Sequence, residues 1–219
     1  MAGEIIALPR KRCFMNMVRE PRLHMVAIDA LRPTQMTVGL REVKTKREEW
    51  RKADGSDQSE FLGRHMVPVI QGPRDRYYVI DHHHLCRALL EAGQTDVEIT
   101  VIADLSRLEK EAFWVFMDNR AWLHPYDAEG QRRSWEDLPK RIADMPDDPY
   151  RSLAGALRRV GGFAKDTTPF AEFLWADFFR RRIKPGRVKS HFAKALDDAV
   201  ALARTKEADF LPGWCGPVD

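Results

Sequence analysis

Along this chain the spacing of hydrophobic positions changes character near residue 105. Upstream, short apolar and β-branched runs alternate with polar residues, the period-two signature of strands. The run "LHMVAIDAL" (Leu23 to Leu31) predicts a strand that gives way to a loop at Pro33, and "DVEITVIAD" (Asp96 to Asp104) predicts the clearest strand. "HMVPVIQGPRDRYYVID" reads as a hairpin, with Met66 to Ile70 as one strand, "QGPRD" as the turn and Arg76 to Ile80 as the return strand. Pro68 has no N–H to give a sheet, so its strand is expected at an edge or with a local irregularity. Helix formers fill Val38 to Gly55, which closes on Asp54-Gly55, and "HHHLCRALLEAG", which closes on Gly93. "SDQSEFLGRH" is expected as a further short helix.

Downstream the period-two signal disappears. Leu108 to Met117, Leu138 to Met145, Tyr150 to Val160, Pro169 to Arg182 and Val188 to Thr205 all predict helices, punctuated by Pro125, Pro139, Pro149, Pro169 and Pro185. Pro149 and Pro169 suit first helical turns, where a missing N–H costs nothing. The fold class predicted is α+β: an extension over residues 1–21, an α+β core over 22–105, and a helical region over 106–219.

Composition narrows the picture. Of the 219 residues 44% are apolar and 32% charged, the balance of a chain that buries a core. Thirty-six basic residues face 33 acidic ones, and a net charge of +3 does not by itself identify a nucleic-acid binder. Basic residues cluster in "RKR" (Arg10 to Arg12), "RRVGGFAK" (Arg158 to Lys165) and "RRRIKPGRVK" (Arg180 to Lys189), which read as solvated faces. The cysteines Cys13, Cys86 and Cys215 form no CxxC pair and cannot all pair with one another, which favours a reducing cytoplasm. The N-terminal stretch carries no secretory pattern, and no run reaches the roughly 20 apolar residues of a membrane span. No membrane partner is therefore expected.

The chemistry concentrates in "YYVIDHHHLCRALLEAG", Tyr77 to Gly93. Asp81 is placed to cap the helix by accepting from the N–H of His83 or His84. Leu85, Ala88, Leu89 and Ala92 then share one helix face, His83 and Arg87 take the opposite one with His84 beside Arg87, and His82 lies near the stripe's edge. A helix start that presents free N–H groups, two imidazoles and a guanidinium suits a phosphate or a carboxylate. The plainer alternative is a capped junction with surface histidines. A metal held by the triplet alone conflicts with geometry, because neighbouring helical residues diverge by about 100°. Such an ion would need distant ligands such as His24, His65, His124 or a carboxylate. Cys86 reads as a buried structural thiol. In "DDPYRSLAGALRRVGGFAK", Asp148 is placed to cap a helix with Pro149 at its first position, Gly161-Gly162 to end it, and Lys165 to reach a ligand or lie in solvent. The aromatic density of "PFAEFLWADFFRRRI" reads as core rather than a base-stacking platform.

These residues, following "VPVI" and preceded by "LRPTQMTVGLREVKTK", resemble the ParB-like family, most closely the branch described as ParB-like nucleases. The likeness covers about residues 22–104 and extends through the two helical motifs just quoted. It implies a ParB/sulfiredoxin-like core with a helical C-terminal extension, in which this helix start binds nucleotide phosphates. ATP or CTP is then the implied ligand, with magnesium as a companion and nucleic acid as a further partner. Asp81, His83 and His84 match the family's D-G-H-H-R motif, while His82 stands where glycine is usual and Leu85 where a phosphate-binding arginine is usual. Arg87 is a partial substitute for that arginine. The sulfiredoxin catalytic cysteine matches the position of His83, so Cys86 does not inherit that role. Glu42, Lys44 and Gln35 fall where relatives place polar groups near the phosphates.

The resemblance thus implies His83, His84, Asp81 and Glu42 as catalytic candidates, and His82, Arg87, Lys44 and Gln35 as ligand-binding candidates. The expected function is a phosphoester- or phosphoanhydride-acting enzyme, a nuclease or a nucleotide hydrolase. The alternatives are a nucleotide-dependent small-molecule kinase of the free-serine type and a non-catalytic, nucleotide-sensing DNA-binding regulator.

Overall fold

The computed structural model describes residues 24–53, 63 and 65–217. Five strands form one mixed sheet: β1 (His24–Ala27), β2 (Arg32–Pro33), β3 (Val67–Gly72), β4 (Arg76–Val79) and β5 (Asp96–Asp104). Their spatial order is β1-β5-β3-β4-β2, with β1–β5 and β3–β4 antiparallel and β3–β5 and β2–β4 parallel. The hairpin joining β3 to β4 forms as expected, and its turn holds Arg74 and Asp75 both at positive φ.

Pro68 is not at an edge: β3 is the central strand of the five, between β5 and β4. Pairing with β4 starts only at Val69, so Pro68 offers its carbonyl to Ile80 N–H and is never asked to donate on that side. The irregularity comes one residue later, where the register against β5 slips between Val69 and Ile70. Ile102 is skipped there and half its surface stays exposed.

Helices α1 (Leu40–Lys52) and α2 (His83–Glu91) pack on each other and on one face of the sheet. Val43, Trp50, Leu85, Ala88 and Leu89 meet Val67, Val69, Val79, Val97 and Ile99 there. Gly93, at φ 92°, ends α2 as the sequence implies, because its left-handed backbone lets Gln94 N–H return to the Leu89 carbonyl. On the other face, α3 (Lys110–Asn119) buries Phe113, Trp114 and Met117 against Ile70 and Tyr78.

A third core belongs to the helices α4 (Pro149–Arg159), α5 (Ala171–Arg180), α6 (Pro185–Ser190) and α7 (Phe192–Ala203). Asp148 caps α4 through Tyr150 N–H, Pro149 takes its first position, and Gly161 at φ 77° closes it. Phe173, Trp175, Phe178 and Phe179 are buried, in line with the core reading of that motif, but Phe170 is only half-buried and Leu174 is 44% exposed.

Other expectations are corrected. Leu138 to Met145 is not a helix; only the single 3-10 turn Ile142–Asp144 forms, because Ile142 and Met145 are drawn into the sheet-side core. The long helix expected from Val188 to Thr205 is two helices, since His191, at φ −134° and ψ 53°, breaks the run. Pro169 lies before α5, whose N-cap is Phe170. The expected helix "SDQSEFLGRH" and the Asp54-Gly55 stop lie almost wholly outside the described residues. Among the described residues no helix is long and apolar enough to cross a membrane.

Candidate functional site

The segment from Thr34 to Arg41 has almost no regular structure, yet distant groups hold it. Thr34 N–H donates to Nε2 of His83 (3.2 Å) and Gly39 N–H to Nε2 of His84 (2.9 Å). Met36 N–H donates to the His124 carbonyl, Val38 N–H to that of Pro146, Leu40 N–H to the Asp147 carboxylate and Arg41 N–H to the Ser152 hydroxyl. Gly39 is required by close approach, because a Cβ there would sit 2.6 Å from Ser152 Oγ and 2.8 Å from its amide nitrogen.

This stitching corrects the expected exposure of His83 and His84. Both are buried, at 2% and 7% exposure, because the face opposite Leu85 and Leu89 is roofed by that segment and needs acceptors for its amides. Burial pushes the His83 imidazole down to about 3, against the opposing pull of Asp81. Burial, aided by the positive charge of Arg151, holds His84 well below its ordinary value of 6.5. Both rings are therefore neutral acceptors at Nε2 and cannot donate from that nitrogen. Nε2 of His84 also lies 3.9 Å from Glu42, but the Gly39 amide occupies it and a neutral ring forms no ion pair.

Asp81 does not cap α2. Its carboxylate accepts from His82 N–H at 2.6 Å, and His82 is the N-cap, in left-handed backbone at φ 67°. That conformation explains why a glycine is usual at this place in the family the motif resembles. Among the described residues no side chain caps α2, and its first backbone bond runs from Cys86 N–H to the His82 carbonyl. The amides of His83, His84 and Leu85 thus begin the helix without an internal partner.

These three residues line a cavity of about 450 Å³ together with Asp81, His82, Gln35 and Glu42. Its basic residues are Lys46, Arg151, Arg158 and Lys165, and its other acids are Asp166 and Glu172. Glu42 and Arg151 are ion-paired at 2.8 Å and buried, and Arg158 pairs with Glu172 at 3.1 Å. Lys46 and Lys165 have no ion pair among the described residues. Nδ1 of His82 is buried without a hydrogen-bond partner among the described residues, and burial lowers that ring's pKa below 6.5. Three non-glycine residues held at positive φ, His82, Ala121 and Phe170, all border this one cavity. Backbone strain of this kind costs about 1–3 kcal/mol per residue and gathers at functional sites.

Of the sequence candidates, the cavity brings together Asp81, His82, His83, His84, Glu42 and Gln35. It leaves out two. Arg87 turns away, donating to the carbonyls of Ile142, Ala143 and Met145 and pairing with Glu91. Lys44 points to solvent beside Glu48. Gln35 is buried and donates to the Thr37 carbonyl, so its amide is partly committed to the loop. Sequence reasoning missed Lys46, Arg151 and Arg158, although the capped helix at Asp148 puts Arg151 and Arg158 seven residues apart on one face. Cys86 is fully buried, and burial pushes its thiol up to about 12, as befits an inert packing group. Among the described residues, no group of three or more histidine, cysteine, aspartate or glutamate side chains is placed to hold a metal ion.

Residues 24–181 match the family described as "Putative ParB-like nuclease". In three dimensions the chain is similar to the crystal structure of protein Atu1540 from Agrobacterium tumefaciens, with a TM-score of 0.85 and 53% identity over 91% of this chain and 100% of that one. No curated protein sequence gives a significant match.

Proposed function

The chain belongs to the ParB-like nuclease family, and from that premise we propose that it cleaves phosphate esters or anhydrides held at the start of α2. The observation that carries this is the helix start at the cavity: His83, His84 and Leu85, whose amides have no partner within the helix, line it at the positive end of the helix dipole together with Lys46 and Lys165. A phosphoryl group seated there would accept hydrogen bonds from amides that no described residue satisfies.

The cavity lining carries four basic and four acidic side chains, the latter being Glu42, Asp81, Asp166 and Glu172. A surface for long nucleic acid carries a basic excess, so the balance favours a free nucleotide such as ATP or CTP, or a strand end, as the ligand. In this reading His83 and His84 position the Thr34 to Arg41 segment and do not move protons. His82 is the acid-base group, neutral near pH 7 with Nδ1 unpartnered among the described residues, and Asp81 orients it through the backbone. Magnesium, where it assists, would draw most of its oxygen ligands from the phosphates and water, with Asp81 as the exposed carboxylate nearest the helix start.

The test is turnover of a phosphodiester chromogen, single-stranded DNA and nucleoside triphosphates, with and without magnesium, by the intact chain and by a Lys46→Ala, Lys165→Ala double variant. The expected result is activity toward at least one substrate class that falls tenfold or more in the variant. Absence of turnover throughout, or turnover indifferent to the lysines, would overturn the proposal.

A further inference from the structure

One wall of the cavity is a strap, residues 163–170, that joins α4 to α5 without any helix or strand of its own. Phe163, Lys165, Asp166 and Phe170 are among the residues it lends to the lining, and Ala164 to Pro169 are all exposed. Tight turns fix both ends. At the first, Gly161 is at φ 77° and Gly162 N–H returns to the Leu157 carbonyl; at the second, Phe170 is at φ 59° and its carbonyl accepts from Phe173 N–H. Between the turns, the Asp166 carboxylate accepts from Thr168 N–H, and the Thr168 carbonyl accepts from Ala171 N–H. Among the described residues, only one backbone hydrogen bond ties Ala164 to Pro169 to a remote part of the chain, and it runs from Ala164 N–H to the Gly213 carbonyl at 2.7 Å.

Gly213 lies past residue 181, where the match to the family ends. The two backbones touch there. A Cβ on Gly213 would sit 2.0 Å from the Ala164 carbonyl oxygen and 3.2 Å from its nitrogen, and Gly213 is itself at φ 70°, so glycine is required twice over. The same segment reaches the strap by a second route. The Pro212 carbonyl accepts from the Trp175 indole N–H at 2.9 Å, and Trp175 stacks on Phe163 with centroids 4.7 Å apart and planes 14° from parallel. Phe163 is 3% exposed and lines the cavity. Trp214, next along, packs against the helical core and so anchors the segment.

We propose that Pro212 to Trp214 form a clasp that sets the strap against the cavity, with Gly213 as the positioning residue for Lys165. Lys165 directly follows the clasped Ala164, and it forms no hydrogen bond or ion pair among the described residues. Its reach into the cavity is therefore set by its neighbour's backbone rather than by its own contacts. A binding side chain on an unstructured loop is useful only where a rigid scaffold places it, because otherwise each binding event must order the loop. The part Lys165 plays toward a phosphoryl group rests on the reading given above; the clasp rests on the contacts just described.

Two measurements on the intact chain test this: the rate of trypsin cleavage after Lys165, read by mass spectrometry, and the affinity for inorganic phosphate, read by calorimetry. Gly213→Ala forces the two backbones apart, while Trp214→Ala, at a half-buried position, frees the segment without a clash. Each variant should speed cleavage after Lys165 by about tenfold or more and weaken phosphate by about fivefold or more, and the two together should do no worse than the stronger, since they release one contact. Cleavage after Lys140, exposed and outside both strap and clasp, should keep its rate. Should Gly213→Ala fail to fold, Trp214→Ala carries the test. Cleavage after Lys165 unchanged, or accelerated equally after Lys140, would overturn the clasp. Faster cleavage with phosphate affinity intact would overturn the positioning role. Faster cleavage in variants of a chain that binds no phosphate to begin with would sustain the clasp and remove the phosphate reading.

Discussion

Glu42 and Arg151 meet at 2.8 Å in the interior, joining α1 to α4 across 109 residues of chain. Removing one partner leaves the other buried and charged, so Glu42→Ala should cost about 3–5 kcal/mol of stability. Urea unfolding would read this. A Glu42→Met, Arg151→Met double variant should lose clearly less than the single change, and an equal or larger loss would mean that the pair acts mainly through packing.

His82→Gly separates backbone from chemistry at the N-cap. Relieving the left-handed conformation should raise stability by about 1 kcal/mol, while loss of the imidazole should lower turnover about a hundredfold or more. Thermal melts and initial rates check the two halves. A variant with full activity would remove His82 from the acid-base role.

His83→Ala and His84→Ala should each strand a backbone amide, that of Thr34 or Gly39, at about 1–3 kcal/mol of stability. Neither ring titrates near neutrality, so neither change should move the apparent pKa of the pH–rate profile. A shifted profile would return them to the reacting groups.

The buried histidines also make stability depend on acid. His83 and His124 have folded pKa values of about 3 against an ordinary 6.5, so the unfolded chain binds protons that the folded chain refuses. Their contribution is complete above pH 6.5 and is lost as the pH falls from there toward 3. At pH 5 the loss is about 2 kcal/mol for each. Unfolding free energies measured at pH 7.5, 6 and 5 should fall with increasing steepness, and a flat series would show that both rings are solvated in the folded chain.

Strands β1, β3, β4 and β5, the β3–β4 hairpin and the caps at Asp148, Gly93 and Gly161 were legible because local pattern and backbone chemistry decide them, whereas the 3-10 turn at Ile28–Ala30 and strand β2 at Arg32–Pro33, where the sequence reads a strand running on to Leu31 and then a loop, were not. So was the family, from "DHHH" and its neighbours. The orientation of the triplet was not legible. Helical projection put His83 on a polar face, and nothing in the projection says that a loop 49 residues earlier lies over that face and needs acceptors. Arg87 was misplaced for the same reason: the carbonyls of Ile142, Ala143 and Met145 that hold it are set by tertiary packing. The ring contact of His124 with Phe170 depends on a turn at Phe170 whose left-handed backbone no propensity would select.

The Thr34 to Arg41 segment has a consequence for amide hydrogen exchange. Six of its amides, those of Thr34, Met36, Val38, Gly39, Leu40 and Arg41, donate to acceptors drawn from residues 83, 84, 124, 146, 147 and 152. None can open without disturbing several elements at once, so a stretch that looks like a loop should exchange on the timescale of the sheet's interior strands.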